Sequence, residues 1–313
     1  MSAFFAGIEI GGTKLQLVIG DKRARILERK RLTVNPSKGA AGIRAQIETT
    51  LPELLRSRTI AALGVGFGGP VDWRTGRVAR SHQIEGWSEF DLAGWLRGLI
   101  SCRVVLDNDA NVAALGEAIH GAGRGFNPVF YVTLGSGVGG GLVVDGKIYH
   151  GATPGEAEIG HVRLDRDGTT VESRCSGWAI DARIRKVRHA SRLPLPSGKG
   201  AEAKWLAPAL AKGDPVAKQI LDELAADLAF GLSHVIHLFH PQIIVLGGGL
   251  SNIGEPLRGT VATALPSFVM DVFGPSLRVA LASLAEDAVP IGALECAVGL
   301  VESVSGERHK KKR

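Results

Sequence analysis

Cysteine is scarce and scattered in this chain. Its 313 residues include three cysteines, Cys102, Cys175 and Cys296. An odd number of widely separated thiols provides neither a disulfide framework nor a C-x-x-C metal pair. This scarcity favours a reducing compartment, and we expect a cytoplasmic protein.

Long apolar runs are also missing. The longest hydrophobic stretches have the length of a β-strand, whereas a membrane-spanning helix needs about 20 apolar residues. Residues 1–19 lack the basic segment that precedes the apolar core of a signal peptide. The sequence therefore predicts neither export nor insertion into a membrane.

Most of the excess positive charge lies at the end of the chain. The formal net charge is +6, and residues 306–313 (GERHKKKR) hold five basic residues and one acid. Such a run is typical of a solvated, disordered end. No basic stripe interleaved with aromatic residues occurs elsewhere, so we expect no nucleic-acid partner.

Glycine, in contrast, is abundant, and two glycine runs lie inside apolar segments. Residues 6–19 read AGIEIGGTKLQLVI, and residues 129–144 read VFYVTLGSGVGGGLVV. In both, an apolar run enters the glycines and another leaves them, which predicts strand–turn–strand. Glycine allows positive φ and leaves backbone N–H groups open to an anion, so such turns can bind phosphate. Their repetition predicts a duplicated fold that closes on a polyphosphate from both sides.

Two other phosphate motifs are excluded by the residues around the glycines. Gly135, Gly137 and Gly140 have the spacing G-x-G-x-x-G, but a dinucleotide-binding fold requires a helix next. Here residues 142–149 read LVVDGKIY, which is a strand, a tight turn and another strand. The P-loop pattern G-x-x-x-x-G-K-[ST] occurs nowhere in the chain. The alternative that remains is a pair of tight turns without a ligand.

The rest of the chain alternates strand-like and helix-like segments, which is typical of an α/β protein. Apolar residues recur with a 3.6-residue period through 216–239, which predicts a long helix. Residues 193–200 have the composition of a loop. Further strands are predicted at 4–20, 26–34, 61–67, 103–109 and 241–249, and further helices at 41–56, 92–99, 110–120 and 292–304.

Three polar residues, Asp107, Asn108 and Asp109, end a predicted strand just before a helix. A carboxylate there could accept the proton of a substrate hydroxyl, and such general-base help is worth roughly 10²–10⁴-fold in rate. Asn and Asp are also preferred N-caps of helices. Capping accounts for one of the three residues, so the triplet predicts a functional role.

A second polar cluster, Glu156, Glu158 and His161, follows the second hairpin. Carboxylates and imidazole suit hydrogen bonds to sugar hydroxyls, because a hydroxyl both donates and accepts. A metal site would need more ligands close by. A plain surface turn is the alternative.

These motifs make the chain resemble the ROK family of sugar kinases and repressors over nearly all of residues 5–304. The resemblance implies an α/β, two-lobed actin-like or hexokinase-like ATPase fold made of duplicated ribonuclease H-like domains. It is carried by GGTK at 11–14, NDAN at 108–111, ALGE at 114–117, GSGVG at 135–139, E-x-G-H at 158–161 and GGG at 247–249.

The resemblance also implies roles for individual residues, with ATP and Mg²⁺ as cofactors and Asp109 as the general base. Glu9 is implied as a support for magnesium. Sugar contacts are implied for Gly69, Gln83, Asn108, Glu158, His161 and Glu172. Nucleotide contacts are implied for Glu9, Gly11, Gly12, Thr13, Lys14, Thr133, Gly135, Ser136, Gly137, Gly139, Gly247, Gly248 and Gly249.

The chain departs from the family pattern in three places. The family's zinc segment, C-x-C-G-x-x-G-C, is replaced by residues 162–171, which contain no cysteine, so we expect no structural zinc. Similarity returns at Glu172. Glu9 stands where Asp is usual, and Gln83 stands where the family has a sugar-binding Asn.

We therefore expect an ATP-dependent hexose kinase that phosphorylates a primary hydroxyl, with glucose as the first candidate. Fructose, mannose, allose or an N-acetylhexosamine are alternative substrates. A sugar-binding protein without catalysis and a ROK transcriptional regulator are the other classes, although Gly11 leaves no room before it for a DNA-binding domain. The expected lobes are 1–112 plus 291–305, and 113–290, with a disordered tail at 306–313 and a homodimeric assembly.

Overall fold

The computed structural model describes residues 3–56, 58–79, 84–153, 157–187 and 202–310. The chain divides into two compact units, each with its own sheet and its own hydrophobic core. Unit 1 consists of Met1–Gly121, Lys147–Glu156 and Glu286–Arg313, and unit 2 of Ala122–Gly146 and Ala157–Ala285.

The sheet of unit 1 has five strands in the order β3-β2-β1-β4-β7. Strands β1 to β3 run antiparallel, and β4 and β7 continue the sheet parallel to β1. A separate two-stranded ribbon is formed by β5 and β6. The strands are β1 (Phe4–Ile10), β2 (Lys14–Gly20), β3 (Ile26–Thr33), β4 (Ile60–Phe67), β5 (Val71–Asp72), β6 (Arg77–Val78) and β7 (Arg103–Asn108).

Among the described residues, four α-helices belong to unit 1. In the first of them the predicted helical spacing is confirmed, since Ile43, Ile47, Leu51 and Leu54 are buried on one face. The helices are α1 (Gly39–Leu55), α2 (Leu92–Ile100), α3 (Asp109–His120) and α9 (Ala288–Lys310).

Helix α9 packs at backbone distance against β4 and α3. A Cβ atom added at Gly64 would lie 1.9 Å from the carbonyl oxygen of Ala293, and one added at Gly292 would lie 1.8 Å from that of Val112. These glycines are required for close approach, because no side chain fits between the two backbones. The contact holds the end of the chain on the sheet of unit 1.

Unit 2 repeats the same arrangement. Strands β8 and β9 form an antiparallel hairpin, and β11 and β12 extend the sheet parallel to β8, in the order β9-β8-β11-β12. Its strands are β8 (Val129–Leu134), β9 (Val138–Val144), β11 (Ile243–Gly247) and β12 (Val279–Leu281); β10 (Lys147–Ile148) follows in unit 1. Its helices are α4 (Val171–Cys175), α5 (Gly177–Val187), α6 (Leu206–Ala211), α7 (Pro215–Phe239) and α8 (Glu255–Ala264).

This repetition confirms the predicted α/β class and the duplicated ribonuclease H-like units. In each unit an apolar hairpin is followed by parallel strands, β2-β1-β4 in the first and β9-β8-β11 in the second. The long helix predicted from the 3.6-residue period is confirmed as α7. The sequence pattern does not predict helices α4, α5, α6 and α8. Helices α4 and α6 have only five and six residues, too few for a helical period to be recognised.

Two bounds of the structure differ from the sequence expectation. Unit 1 includes all of α3, which the expected lobes divide at 112/113, because this helix packs along α9. Helix α9 continues to Lys310 and so takes in the first residues of the tail expected to be disordered, 306–313. No proline follows Pro290, and basic residues near a helix C-terminus are favourable. Gln83 and the predicted loop at 193–200 lie outside the described residues.

The three cysteines are free thiols. Cys175 is buried, and its burial raises the pKa of the thiol to about 12, so it is protonated and unreactive at neutral pH. Within the described parts of the chain, no helix combines the length and the apolar character needed to cross a membrane.

The contact of α9 with α3 gives a first prediction. Gly292→Ala should lower the free energy of unfolding by about 1–3 kcal/mol, because the added methyl group overlaps the backbone of Val112. Gly299→Ala in the same helix is the matched control, since nothing lies within 4 Å of its added Cβ. This control should be neutral or stabilising by up to about 1 kcal/mol. Urea unfolding of both variants measures this difference. Equal changes in the free energy of unfolding would contradict the packing argument.

Candidate active site residues in the two units

The carboxyl ends of three parallel strands of unit 1 lie side by side. Ile10 pairs with Phe67, and Phe67 pairs with Asn108. The N–H of Gly68 donates a hydrogen bond to the carbonyl oxygen of Ile10 at 2.8 Å. A Cβ atom added at Gly68 would lie 3.3 Å from Oδ2 of Asp109. The predicted residues Gly11, Gly69, Asn108 and Asp109 are therefore brought together at this edge.

Asn108 caps α3. Its Oδ1 accepts hydrogen bonds from the N–H groups of Ala110 at 2.8 Å and Asn111 at 3.4 Å, and its Nδ2 donates to the carbonyl oxygen of Gly69 at 3.2 Å. Capping thus accounts for Asn108 among the three polar residues. It leaves Asp109 as the first residue of α3, partly accessible to solvent.

Asp107 is buried, with 4 % of its surface exposed, and it is surrounded by donors. Its Oδ1 accepts from the N–H of Asn108 at 2.8 Å and from Nδ2 of Asn111 at 3.0 Å. Its Oδ2 lies 2.5 Å from Nε2 of His150, and the imidazole stacks on the indole of Trp73 with ring centroids 4.1 Å apart. Asp107 therefore fixes the end of β7 beside Asp109.

The sequence pattern does not predict the part played by His150. A single histidine after a short strand has no spacing that indicates a partner, and Asp107 lies 43 residues away. The sequence indicates such a partner for Asp107 only indirectly. A carboxylate at the end of a buried strand requires donors, and burial of an unpaired charge is costly.

Replacement of His150 tests this interaction. His150→Phe retains an aromatic ring against Trp73 but removes a donor from the buried Asp107 carboxylate, so it should lower the free energy of unfolding by about 1–3 kcal/mol. His150→Gln retains an N–H donor and should lose less than half of that. Urea unfolding at pH 7 compares the two variants; equal losses would show that the hydrogen bond contributes little.

Glu9 lies in the strand that enters the first glycine turn and is 9 % exposed. Its Oε1 is 3.0 Å from Nζ of Lys14, and its Oε2 accepts a hydrogen bond from Nε2 of Gln16 at 2.6 Å. Burial raises the pKa of Glu9 above its ordinary value of 4.5, although Lys14 and Gln16 act in the opposite direction. The fold thus holds a carboxylate where burial disfavours its charge.

This pKa shift predicts a pH-dependent effect on stability. Because the pKa of Glu9 is raised, the folded protein binds this proton more tightly than the unfolded chain does. Stability is therefore lost as the pH rises above about 4.5 and through the raised pKa. Glu9→Gln removes that charge. The free energy of unfolding of this variant, minus that of the unsubstituted protein, should therefore be larger at pH 7 than at pH 4, so the variant is relatively more stable at pH 7. Urea titrations at both pH values measure this difference, and a reversed sign would refute the burial argument.

In unit 2, two predicted segments meet at one edge of the sheet. Thr133 in β8 pairs with Gly247 in β11. Gly248 has a φ of +79°, and a Cβ atom there would lie 2.6 Å from the backbone of Leu134. The predicted second phosphate loop, 135–139, and the predicted adenosine segment, 247–249, are therefore adjacent.

The glycines of the two hairpins are not used for left-handed backbone. Gly11, Gly12, Gly135 and Gly137 lie outside the positive-φ region. Instead, a Cβ atom at Gly137 would lie 2.4 Å from Oε2 of Glu172. The second hairpin needs glycine because a carboxylate lies against its tip.

The predicted sugar-binding segments surround this second hairpin. Oε2 of Glu172 accepts a hydrogen bond from the N–H of Val138 at 2.9 Å, and the N–H of Gly177 donates to the carbonyl oxygen of Gly135 at 2.7 Å. Gly160 lies close to the carbonyl oxygen of Val138, 2.2 Å from an added Cβ. Glu158 and His161, on either side of Ile159 and Gly160, are exposed to solvent.

The segment that replaces the family's zinc cysteines is closed by a side chain. Arg163 pairs with Thr170 as an antiparallel bridge. Oδ1 of Asp165 accepts from the N–H groups of Asp167 at 2.9 Å and Thr169 at 3.0 Å. Across the described residues, no three His, Cys, Asp or Glu side chains converge as a metal site would require. The residues at hand do not fit a zinc ion.

The architecture of both units defines a protein of the actin-like ATPase fold. Each unit carries a glycine hairpin at the edge of a ribonuclease H-like sheet, and unit 1 adds a carboxylate at a strand end. The family model described as "ROK family" matches residues 5–299. The chain belongs to the ROK family, which confirms the resemblance seen in its motifs.

Individual proteins resemble the chain over nearly all of its length. It is 31 % identical over 300 residues to a glucokinase of Thermotoga maritima, covering 92 % of this chain and 95 % of that protein. It is 28 % identical to an N-acetylgalactosamine kinase of Shewanella sp. strain ANA-3, with coverages of 90 % and 96 %. The structure of a ROK family glucokinase from Streptomyces griseus, in complex with glucose and AMPPNP, superposes with a TM-score of 0.81 at 30 % identity, covering 94 % and 99 %.

Proposed function

We propose that this protein is an ATP-dependent hexose kinase that phosphorylates the primary hydroxyl of its substrate, with glucose as the first candidate. The observation that carries the proposal is the position of Asp109. It opens α3 directly after the Asn108 cap, and its carboxylate lies over Gly68. The glucokinase relatives at about 30 % identity support glucose.

In this proposal Asp109 accepts the hydroxyl proton as the sugar oxygen attacks the γ-phosphorus of ATP. Such a base contributes roughly 10²–10⁴-fold to the rate. Positioning and electrostatic stabilisation supply most of the remainder in phosphoryl transfer. The phosphate groups are assigned to the glycine turns at 11–13 and 135–139, with adenosine assigned to 247–249.

Magnesium, bound with ATP, would neutralise phosphate charge during the reaction. Glu9 has the oxygen donors that Mg²⁺ prefers. Both of its oxygens already have partners in Lys14 and Gln16. We therefore propose that Glu9 acts on the ion through its charge or through bound water rather than as a direct ligand.

Sugar recognition is assigned to the exposed side chains of Glu158 and His161, together with Glu172 in unit 2 and Asn108 and Gly69 in unit 1. Hydroxyl groups can donate to the carboxylates and accept from the imidazole. The sugar contact that the resemblance implies for Gln83 stays a prediction.

An N-acetylhexosamine is the second candidate substrate, and the N-acetylgalactosamine kinase among the relatives favours it. Fructose, mannose and allose remain alternatives. We also propose a cytoplasmic homodimer. The three free thiols agree with a reducing compartment, and the homodimer is supported by the family resemblance.

A coupled assay of ADP release tests the function. Purified protein with Mg-ATP should release ADP at a rate that depends on the sugar, fastest with glucose among glucose, fructose, mannose, allose and N-acetylhexosamines. Asp109→Asn should lower kcat by at least about 100-fold and leave the sugar KM within about threefold.

Asp91→Asn is the matched control for that variant. Asp91 caps α2 through its side chain, a role that Asn also fills, so kcat should not change. Sugar-independent ADP release from the unsubstituted protein would refute the kinase proposal. An Asp109→Asn variant that keeps more than a tenth of kcat would refute the base assignment alone.

A further inference from the structure

The carboxylate of Glu172 holds the tip of the second hairpin. Val138 is the first residue of β9, and its N–H donates to Oε2 of Glu172 at 2.9 Å. The same oxygen lies only 2.4 Å from the place where Gly137 would carry a Cβ. The carboxylate is thus seated against two consecutive residues of the predicted phosphate loop.

Two other segments also contact the hairpin at 135–139. Gly160 lies against the carbonyl oxygen of Val138, and Gly177 donates to the carbonyl oxygen of Gly135. Val138 is therefore held at its N–H by a side chain and at its carbonyl by close backbone packing. Glu172 is the one ionisable group among these contacts, and a charged acceptor forms a stronger hydrogen bond than a neutral one.

This geometry is not explained by sugar binding alone. A residue that only contacts a sugar would not need its carboxylate against a backbone N–H of the adjacent loop. Because the Val138 N–H is bonded to Glu172, it is unavailable to a phosphate. The loop therefore has a fixed shape before any ligand binds, and preorganised donors bind without an ordering cost.

We propose that Glu172 is a positioning residue of the nucleotide site, in addition to the sugar contact assigned to it, and that it sets the hairpin at 135–139 for phosphate binding. The inference rests on the proposed kinase function. Loss of the hydrogen bond loosens the hairpin and weakens nucleotide binding even when no sugar is present.

Two conservative variants separate length from charge. Glu172→Gln retains the length and a carbonyl oxygen that accepts from Val138 but loses the charge. Glu172→Asp retains the charge but is shorter by one methylene group and withdraws from Val138. Glu158→Gln is the control, since Glu158 is exposed in the neighbouring sugar motif.

Calorimetric titration of the sugar-free proteins with AMPPNP and Mg²⁺ measures nucleotide affinity directly. The Kd should stay within about twofold for Glu172→Gln and Glu158→Gln and should rise at least fivefold for Glu172→Asp. An unchanged Kd in Glu172→Asp would overturn the proposal in favour of a sugar role alone. A larger rise in Kd for Glu172→Gln than for Glu172→Asp would overturn it in favour of a charge effect.

Hydrogen exchange at the Val138 amide gives a readout that does not depend on the kinase function. Exchange should be at least tenfold faster in Glu172→Asp than in the unsubstituted protein, and near the unsubstituted rate in Glu172→Gln. Identical exchange in all variants would overturn the positioning role even if nucleotide affinity changed. Accelerated Val138 exchange in a protein that releases no ADP with any sugar would support positioning while refuting the kinase.

Discussion

Unit 1 depends on the backbone contact between α9 and the elements beneath it. Gly64 and Gly292 leave no side chain between that helix, β4 and α3, so three elements pack as closely as their main chains allow. Interiors packed at this density shift little when a ligand binds. Because α3 begins at Asp109, the contact also fixes the direction from which the proposed base presents its carboxylate.

Two buried carboxylates near this edge are compensated differently. Asp107 has polar partners on both oxygens and is held by the main chain, an amide and an imidazole. Glu9 has two partners, and burial still raises its pKa. Groups with perturbed pKa values concentrate at functional sites, where their cost in stability is tolerated. By this criterion Glu9 has the character of a functional group.

The sequence predicts the hairpins, the strand-end carboxylates and the long helix because each depends on residues close together in the chain. Alternating apolar residues around glycine predict β1-β2 and β8-β9, and the polar triplet predicts where β7 ends. The pairing of His150 with Asp107, and of Glu172 with Val138, joins residues 43 and 34 positions apart, and no local pattern indicates such pairs. The glycines illustrate the same limit. The sequence shows where glycine occurs, but only the structure shows which group occupies the space of the missing side chain, as the carboxylate of Glu172 does at Gly137.

The division of unit 1 into three separate stretches has a consequence for synthesis on the ribosome. Strand β4 and helix α3 leave the ribosome long before α9, which begins at Ala288. At about 5–20 residues per second, the glycine-lined surface that α9 covers waits roughly 10–30 s for its partner. During that interval unit 2 is translated in full, so the first unit to begin is the last to be completed. Nascent chains of this protein therefore expose an unfinished apolar face until translation is nearly over, which is the kind of surface that chaperones bind.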